Sequence, residues 1–270
     1  MTSSLLINGQ PADQLAVTDR ATQYGDGVFS TLRIKDGELQ FLKAHLDRLK
    51  TGLERLGIDF SCWDRLQDCC LEQAIGHSEG VLKILISRGS GGRGYLPPSP
   101  AQATWILSLH PMPAHYALWR QQGITLQLSP LQLAKQPLLA GIKHLNRLEQ
   151  VLIRQHAEAQ GWQDALVCDT DGMLVESSVA NLFWQVGNSW YTPDLHFAGV
   201  DGIMRQQLVK ALELRGNLVY QVRSAPSCLL QAKQLLLCNS LMGVVPVNSY
   251  AGHFYHKDDV AQLNKECGFV

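Results

Sequence analysis

The sequence predicts two domains of mixed composition: a smaller α+β domain over residues 1–115 and a larger mixed α/β domain over 116–270. Three observations carry this. Hairpin and helix signals crowd the first 110 residues. The run His110-Pro111-Met112-Pro113-Ala114-His115 then interrupts regular structure, because two prolines suit neither a helix interior nor a central strand. From Gly123 onward strands and helices alternate. A chain of 270 residues is long for one core and short for three domains.

The elements follow in order. Leu5-Leu6-Ile7 reads as a strand closed by an Asn8-Gly9 turn. Asp19 to Phe29 contains Tyr24-Gly25-Asp26-Gly27, either a turn that needs positive φ or a loop that lets backbone approach a ligand. Val28 to Ile34 is a strand, Lys35-Asp36-Gly37-Glu38 a hairpin turn, and Leu39-Gln40-Phe41-Leu42 the return. Leu46, Leu49, Leu53 and Leu56 have helical spacing, with Gly57 as the stop. Arg48 lies on this helix, and a solvated arginine is its default reading. Ser61-Cys62-Trp63-Asp64 resembles a capping box opening a second helix to about Gly76.

Val81 to Ser87 is an apolar strand broken only by Lys83. It enters the glycine-rich run Arg88-Gly89-Ser90-Gly91-Gly92-Arg93-Gly94-Tyr95. No G-K-[ST] follows, so this is not a Walker loop. It is a flexible turn or an anion site in which Arg93 and Tyr95 donate to a carboxylate. Ala103 to Leu109 and Ile124 to Leu128 are strands. From Leu145 a helix is expected, since Leu145, Leu148, Val151 and Leu152 form one apolar face. Strands follow at 164–169, 173–176, 181–186 and 189–193, then a helix opening at Gly202 and closed by Gly216. Leu218 to Val222 and Gln234 to Cys238 are the last strands, ending in the turn Asn239-Ser240-Leu241-Met242-Gly243.

Composition bounds the function. With 46% hydrophobic and 17% charged residues this is an ordinary globular chain. A net charge of -1 gives no electrostatic case for nucleic acid or an anionic membrane. Seven cysteines, an odd number without a C-x-x-C pair, argue against a disulfide framework and a zinc site and fit a reducing cytoplasm. Met1-Thr2-Ser3-Ser4-Leu5 lacks a basic start and an apolar core, so no signal peptide is expected. No apolar run approaches the ~18 residues of a membrane span.

Several residues suggest one cofactor chemistry. Lys143, after an apolar run and before the expected helix, is either a snorkelling lysine or a Schiff-base lysine freed by desolvation. Gly202-Ile203-Met204 at a helix start offers amides and a positive dipole end to a phosphate. The Asn239-Ser240-Leu241 turn adds a hydroxyl and further amides. Glu176 ends a strand among apolar neighbours, where a carboxylate needs a positive partner such as a protonated pyridine nitrogen. Lysine, carboxylate and phosphate cup together are what pyridoxal phosphate requires.

The chain resembles the fold-type-IV pyridoxal-phosphate enzymes: branched-chain aminotransferases, D-amino-acid aminotransferases and aminodeoxychorismate lyases. The matching segments are Tyr24 to Phe29, His45-Leu46-Asp47-Arg48-Leu49, Lys143-His144-Leu145-Asn146, Glu176 with Ala180-Asn181-Leu182-Phe183, and Gly202-Ile203-Met204-Arg205. The resemblance implies a two-domain mixed α/β fold with the cofactor in the interdomain cleft, and a homodimer. It implies that Lys143 carries pyridoxal 5'-phosphate and that Glu176 meets the pyridine nitrogen. Arg48, Ile203, Met204, Asn239 and Ser240 would hold the phosphate.

Within the group the nearest likeness is to the aminodeoxychorismate lyases, through Ser87 to Tyr95, Ala140 to Gln150 and Gly202 to Gln206. It implies conversion of 4-amino-4-deoxychorismate to 4-aminobenzoate and pyruvate, with Arg93, Tyr95 and Phe29 at the substrate. Many aminotransferases of the group carry a threonine where Met204 stands, and D-amino-acid aminotransferases a tyrosine at Phe29. An aminotransferase acting on D-amino or branched-chain amino acids is the second reading.

Overall fold

The computed structural model describes residues 5–269. The reading of Met1 to Ser4 as free of a signal peptide lies outside them. The chain divides into two compact units. One holds the chain up to Pro113 together with Ile142–Asn146; the other holds Ala114–Gly141 and the chain from Arg147 onward. The sequence expectation gave all of 116–270 to the second domain, whereas the short segment bearing Lys143 packs as part of the first unit.

In the first unit the elements are β1 (Leu5–Ile7), β2 (Gln10–Pro11), α1 (Arg20–Tyr24), β3 (Gly27–Lys35), β4 (Glu38–Leu39), α2 (Leu42–Leu56), α3 (Trp63–Ala74), β5 (Glu79–Ser87) and β6 (Thr104–His110). The strands form an antiparallel sheet in the order β2-β1-β6-β5-β3-β4. Alternation in β3 and β5 sends Val28, Leu32, Ile34, Leu82, Ile84 and Ile86 into a core shared with Leu46, Leu49 and Leu53 of α2. Gly52 lets α2 approach closely, since a Cβ there would lie 2.9 Å from Val28 Cγ1. That contact fixes the helix one turn beyond Arg48. The expected return strand shrinks to Glu38–Leu39 because Leu42 already opens α2. The capping box at Ser61 is absent: Cys62 is the N-cap of α3 and no side chain caps it.

In the second unit the elements are α4 (His115–Gln122), β7 (Ile124–Leu128), α5 (Leu148–Ala159), β8 (Asp164–Cys168), β9 (Leu174–Ser177), β10 (Asn181–Val186), β11 (Ser189–Pro193), α6 (Ile203–Leu214), β12 (Leu218–Val222), β13 (Gln234–Asn239), β14 (Gly243–Tyr250), β15 (His253–Phe254) and α7 (Val260–Glu266). Its mixed sheet runs β12-β11-β10-β13-β14-β7-β8-β9, with β15 on β14. Parallel pairs occur at β11–β12, β7–β14 and β7–β8.

Two expectations fail around Lys143. The helix starts at Leu148 rather than Leu145, because the preceding residues bond to β3 instead. Its apolar row is also not the buried one: Leu148, Val151 and Leu152 are 71%, 48% and 48% exposed, while Ile153 and Ala157 face the core. Among the described residues no helix is long and apolar enough to cross a membrane.

Candidate active site

In the first unit the candidate residues are built on one end of β3. His144 bridges Val28, the Phe29 amide donates to the Lys143 carbonyl at 2.9 Å, and the Leu145 amide to the Gly27 carbonyl at 3.0 Å. Asn146 Nδ2 adds a bond to the Gly25 carbonyl at 3.1 Å. The segment thus pairs with β3 as a short extra strand, and the glycines make room for it. Gly25 is the left-handed C-cap of α1, and a Cβ on it would meet Asn146 Oδ1 at 2.5 Å. Both readings of this motif are partly met: it is a positive-φ turn, and it admits a close neighbour, which is the chain's own lysine segment.

Lys143 is half-buried, its Nζ 4.5 Å from the centroid of the Phe29 ring. Amine and ring form a cation–π contact, which holds the side chain in one direction. Arg48 Nη2 donates to Ser30 Oγ at 2.5 Å, and Ser30 Oγ lies 2.7 Å from His45 Nδ1. A guanidinium can only donate, so Ser30 Oγ accepts from Arg48 and shares a second hydrogen bond with His45 Nδ1. Ser30 and His45 are fully buried and set the direction of Arg48. Sequence reasoning passed over both. The signal was there: a polar Ser30 at a core-facing position of β3, and His45 on the buried stripe of α2.

Burial pulls the His45 pKa well below the usual imidazole range, and the charges of Arg48 and Lys143 act the same way. The folded protein therefore keeps His45 neutral while the unfolded chain protonates below about pH 6.5. Stability is retained above that pH and lost as pH falls toward the folded pKa, by up to about 1.4 kcal/mol per unit. Urea unfolding at pH 7.5 and 5.0 will show a larger acid loss in the native protein than in His45→Gln. Equal losses would contradict the assignment.

The glycine-rich run is held by an ionic cluster. Asp26 Oδ2 accepts from Arg20 Nε at 2.8 Å and from Arg88 Nε at 2.7 Å. Arg88 also donates to the carbonyls of Leu56 and Gly57 at the end of α2. Arg20 reaches the Gly94 and Tyr95 carbonyls at 3.3 and 3.0 Å. Burial raises the Asp26 pKa, but the bonds and charges of Arg88 and Arg20 outweigh it and hold the carboxyl below its ordinary value. Arg93 and Tyr95 themselves are exposed, and the Tyr95 ring packs edge-on against Tyr24. Arg20 and Asp26 are thus the supports of this loop, a role the sequence reading did not assign.

The second unit carries candidate residues of its own. Glu176 on β9 is 6% exposed, and its Oε2 accepts the Val200 amide at 3.0 Å. Burial lowers the Arg147 pKa, while the charges of Glu176 and Glu149 oppose that. Arg147 is therefore an electrostatic neighbour of Glu176 that sequence reasoning missed. Asn181 Nδ2 donates to the Val200 carbonyl at 2.8 Å, and a Cβ on Gly202 would lie 2.2 Å from Asn181 Oδ1. Glu176, Val200 and Asn181 thereby fix the entry to α6.

Gly202 is the N-cap of α6 and no side chain caps the helix, so the first amides, at Ile203 and Met204, suit an anion. Asp201 would oppose an anion there, but Arg205 Nη1 pairs with it at 2.9 Å. At the other turn Asn239 Oδ1 accepts the Leu241 and Met242 amides at 2.9 and 2.8 Å. The Leu241 amide, expected from the sequence to serve a ligand, is spent on the turn itself. Ser240 is buried within it.

Comparison with known proteins follows the same lines. The aminodeoxychorismate lyase of Vibrio harveyi is 37% identical over 242 residues, 90% of this chain and 89% of its own. The solved 4-amino-4-deoxychorismate lyase of Pseudomonas aeruginosa matches with a TM-score of 0.92 at 36% identity, over 97% of each chain. The branched-chain amino acid aminotransferase of Escherichia coli matches with a TM-score of 0.87 at 21% identity, over 97% of this chain and 92% of its own, and so shares the fold. The fold is that of the fold-type-IV enzymes, as the sequence predicts. The profile of amino-transferase class IV covers residues 27–250, and the chain belongs to that family.

Proposed function

We propose that this chain is a pyridoxal-phosphate-dependent carbon–oxygen lyase that converts 4-amino-4-deoxychorismate to 4-aminobenzoate and pyruvate, in folate biosynthesis. The observation that carries this reading is the 36–37% identity to two lyases over nearly the whole chain, against 21% to the aminotransferase. The donor set fits the cofactor. Lys143 is a half-buried amine held over an aromatic ring. Arg48 is aimed by Ser30, and α6 opens without a side-chain cap. Glu176 is a buried carboxylate able to keep a pyridine nitrogen protonated.

When bound, the cofactor supplies an electron sink and a carbonyl for Schiff-base chemistry. Lys143 would hold it covalently, then take the proton from the amine-bearing ring carbon of the substrate and return a proton as pyruvate leaves. Arg48, Ser240 with Asn239, and the amides of Ile203 and Met204 would seat the phosphate; Met204 brings no hydroxyl, so its amide alone serves. Arg93 and Tyr95 would meet a substrate carboxylate beside Phe29. We further read the enzyme as a cytoplasmic homodimer; the exposed apolar row on α5 supports the pairing of two copies.

Two measurements test this. Turnover without any keto-acid acceptor supports the lyase; turnover that requires an acceptor would move the assignment to an aminotransferase. For the phosphate seat, Gly202→Ala forces a Cβ against Asn181 Oδ1 at 2.2 Å. Absorbance titration will show cofactor Kd raised about tenfold or more. Unchanged affinity would remove α6 from the seat.

A further inference from the structure

The turn Asn239-Ser240-Leu241-Met242-Gly243 is pinned at both ends, and the second pin comes from α7. At the start of the turn Asn239 Nδ2 donates to the Val179 carbonyl at 3.1 Å. At its end the chain enters β14, where Gly243 pairs with Asn239 and Val244 with Cys238. On the other side β7 meets β14 at Val247, Ser249 and Tyr250, so Val244 lies short of that neighbour. Asn264 of α7 stands where a strand partner would. Its Oδ1 accepts the Val244 amide at 2.8 Å, and its Nδ2 donates to the Val244 carbonyl at 2.9 Å. A carboxamide can do this because it carries a donor and an acceptor side by side, as a peptide group does. Nδ2 also donates to the Val260 carbonyl at 3.1 Å, so the buried side chain is fully used. The approach is close: Gly243 has φ +71°, and a Cβ on it would lie 2.4 Å from Asn264 Oδ1 and 2.7 Å from Phe269 Cδ1. Arg120 of α4 adds a further hold. Its Nη1 donates to the Met242 carbonyl at 3.2 Å, and its guanidinium carbon lies 5.4 Å from the Phe269 ring centroid.

We infer that Asn264 and Arg120 are positioning residues for the cofactor phosphate, acting through Met242, Gly243 and Val244 on the Asn239-Ser240 turn. This rests on the reading of that turn as part of the phosphate seat. Asn239 anchors the first half of the turn, and Asn264 and Arg120 anchor the second. Ser240 lies between the two anchors. A binding group has to stay within about 0.5 Å of its productive place, and a turn released at one end does not hold its hydroxyl to that tolerance. Neither residue touches the phosphate in this scheme. Their removal moves the seat and leaves the chemistry of its donors unchanged.

The test titrates the full chain, freed of cofactor, with pyridoxal 5'-phosphate and with pyridoxal, which lacks the phosphate. Absorbance gives both affinities, and their ratio is the readout in native protein, Asn264→Ala, Arg120→Met and Ser240→Ala. Asn264→Ala will lower the preference for the phosphorylated form about tenfold or more, with pyridoxal affinity within about threefold of native. Arg120→Met keeps the aliphatic stem and loses the bond to Met242, and will lower the ratio about threefold or more. Ser240→Ala, which removes the hydroxyl itself, will lower it as well. An unchanged ratio in Asn264→Ala or Arg120→Met would overturn the inference. So would equal weakening of both compounds, the mark of a purely structural role. If Asn264→Ala yields no folded protein, Arg120→Met decides alone. An unchanged ratio in Ser240→Ala would instead remove the turn from the phosphate seat, and with it the reading on which the inference rests.

Discussion

Lys143→Ala will lower kcat by about 10⁴-fold or more, since loss of a positioned base alone removes about 10²–10⁴ and the covalent hold on the cofactor goes with it. The variant will also lose the visible absorbance of the loaded enzyme in the position given by a lysine Schiff base. The fold should survive. The segment is held to β3 through backbone bonds from Phe29 and Leu145, which alanine leaves in place. The cation–π contact with Phe29 is lost, and such contacts contribute about 0.5–2 kcal/mol. Thermal unfolding near the native midpoint, with activity gone, separates a chemical role from a structural one. Turnover at the native rate would contradict the assignment of the base.

Glu176→Gln will reduce kcat by about 10²–10³-fold, the range found when one preorganised electrostatic group is removed. Glutamine can still accept the Val200 amide, so the entry to α6 keeps its geometry. What it lacks is the negative charge that would keep a pyridine nitrogen protonated. The change also leaves Arg147 with one fewer compensating charge, and Glu149 then carries that task. Cofactor affinity should fall far less than kcat, because the proposed phosphate contacts are elsewhere. A kcat within twofold of native would show that this carboxylate does not tune the cofactor.

The sequence made the strands of both sheets largely legible, because alternation and turn residues mark them directly. It was less informative wherever tertiary pairing overrode local pattern. Leu145 to Leu152 has helical spacing, yet the start of that run is captured by the edge of β3, and its leucines end on the exposed side. β14 went unread because Pro246 sits inside it and Gly243 looked like the end of a turn. α4 was hidden by the prolines before it, although Tyr116 and Trp119 are buried at helical spacing. At the site, motif likeness named the candidate ligand-facing residues. It could not name their supports, Ser30, His45, Asp26, Arg20 and Asn181, whose roles depend on partners distant in sequence.

The measurement that bears most directly on the central claim is product stoichiometry. Purified enzyme loaded with pyridoxal phosphate is incubated with aminodeoxychorismate and no acceptor, and 4-aminobenzoate and pyruvate are quantified together. We expect equimolar release in the native protein and none above background in Lys143→Ala. Cofactor-loaded native protein that releases neither product, yet passes its amino group to a keto acid, would contradict the lyase assignment.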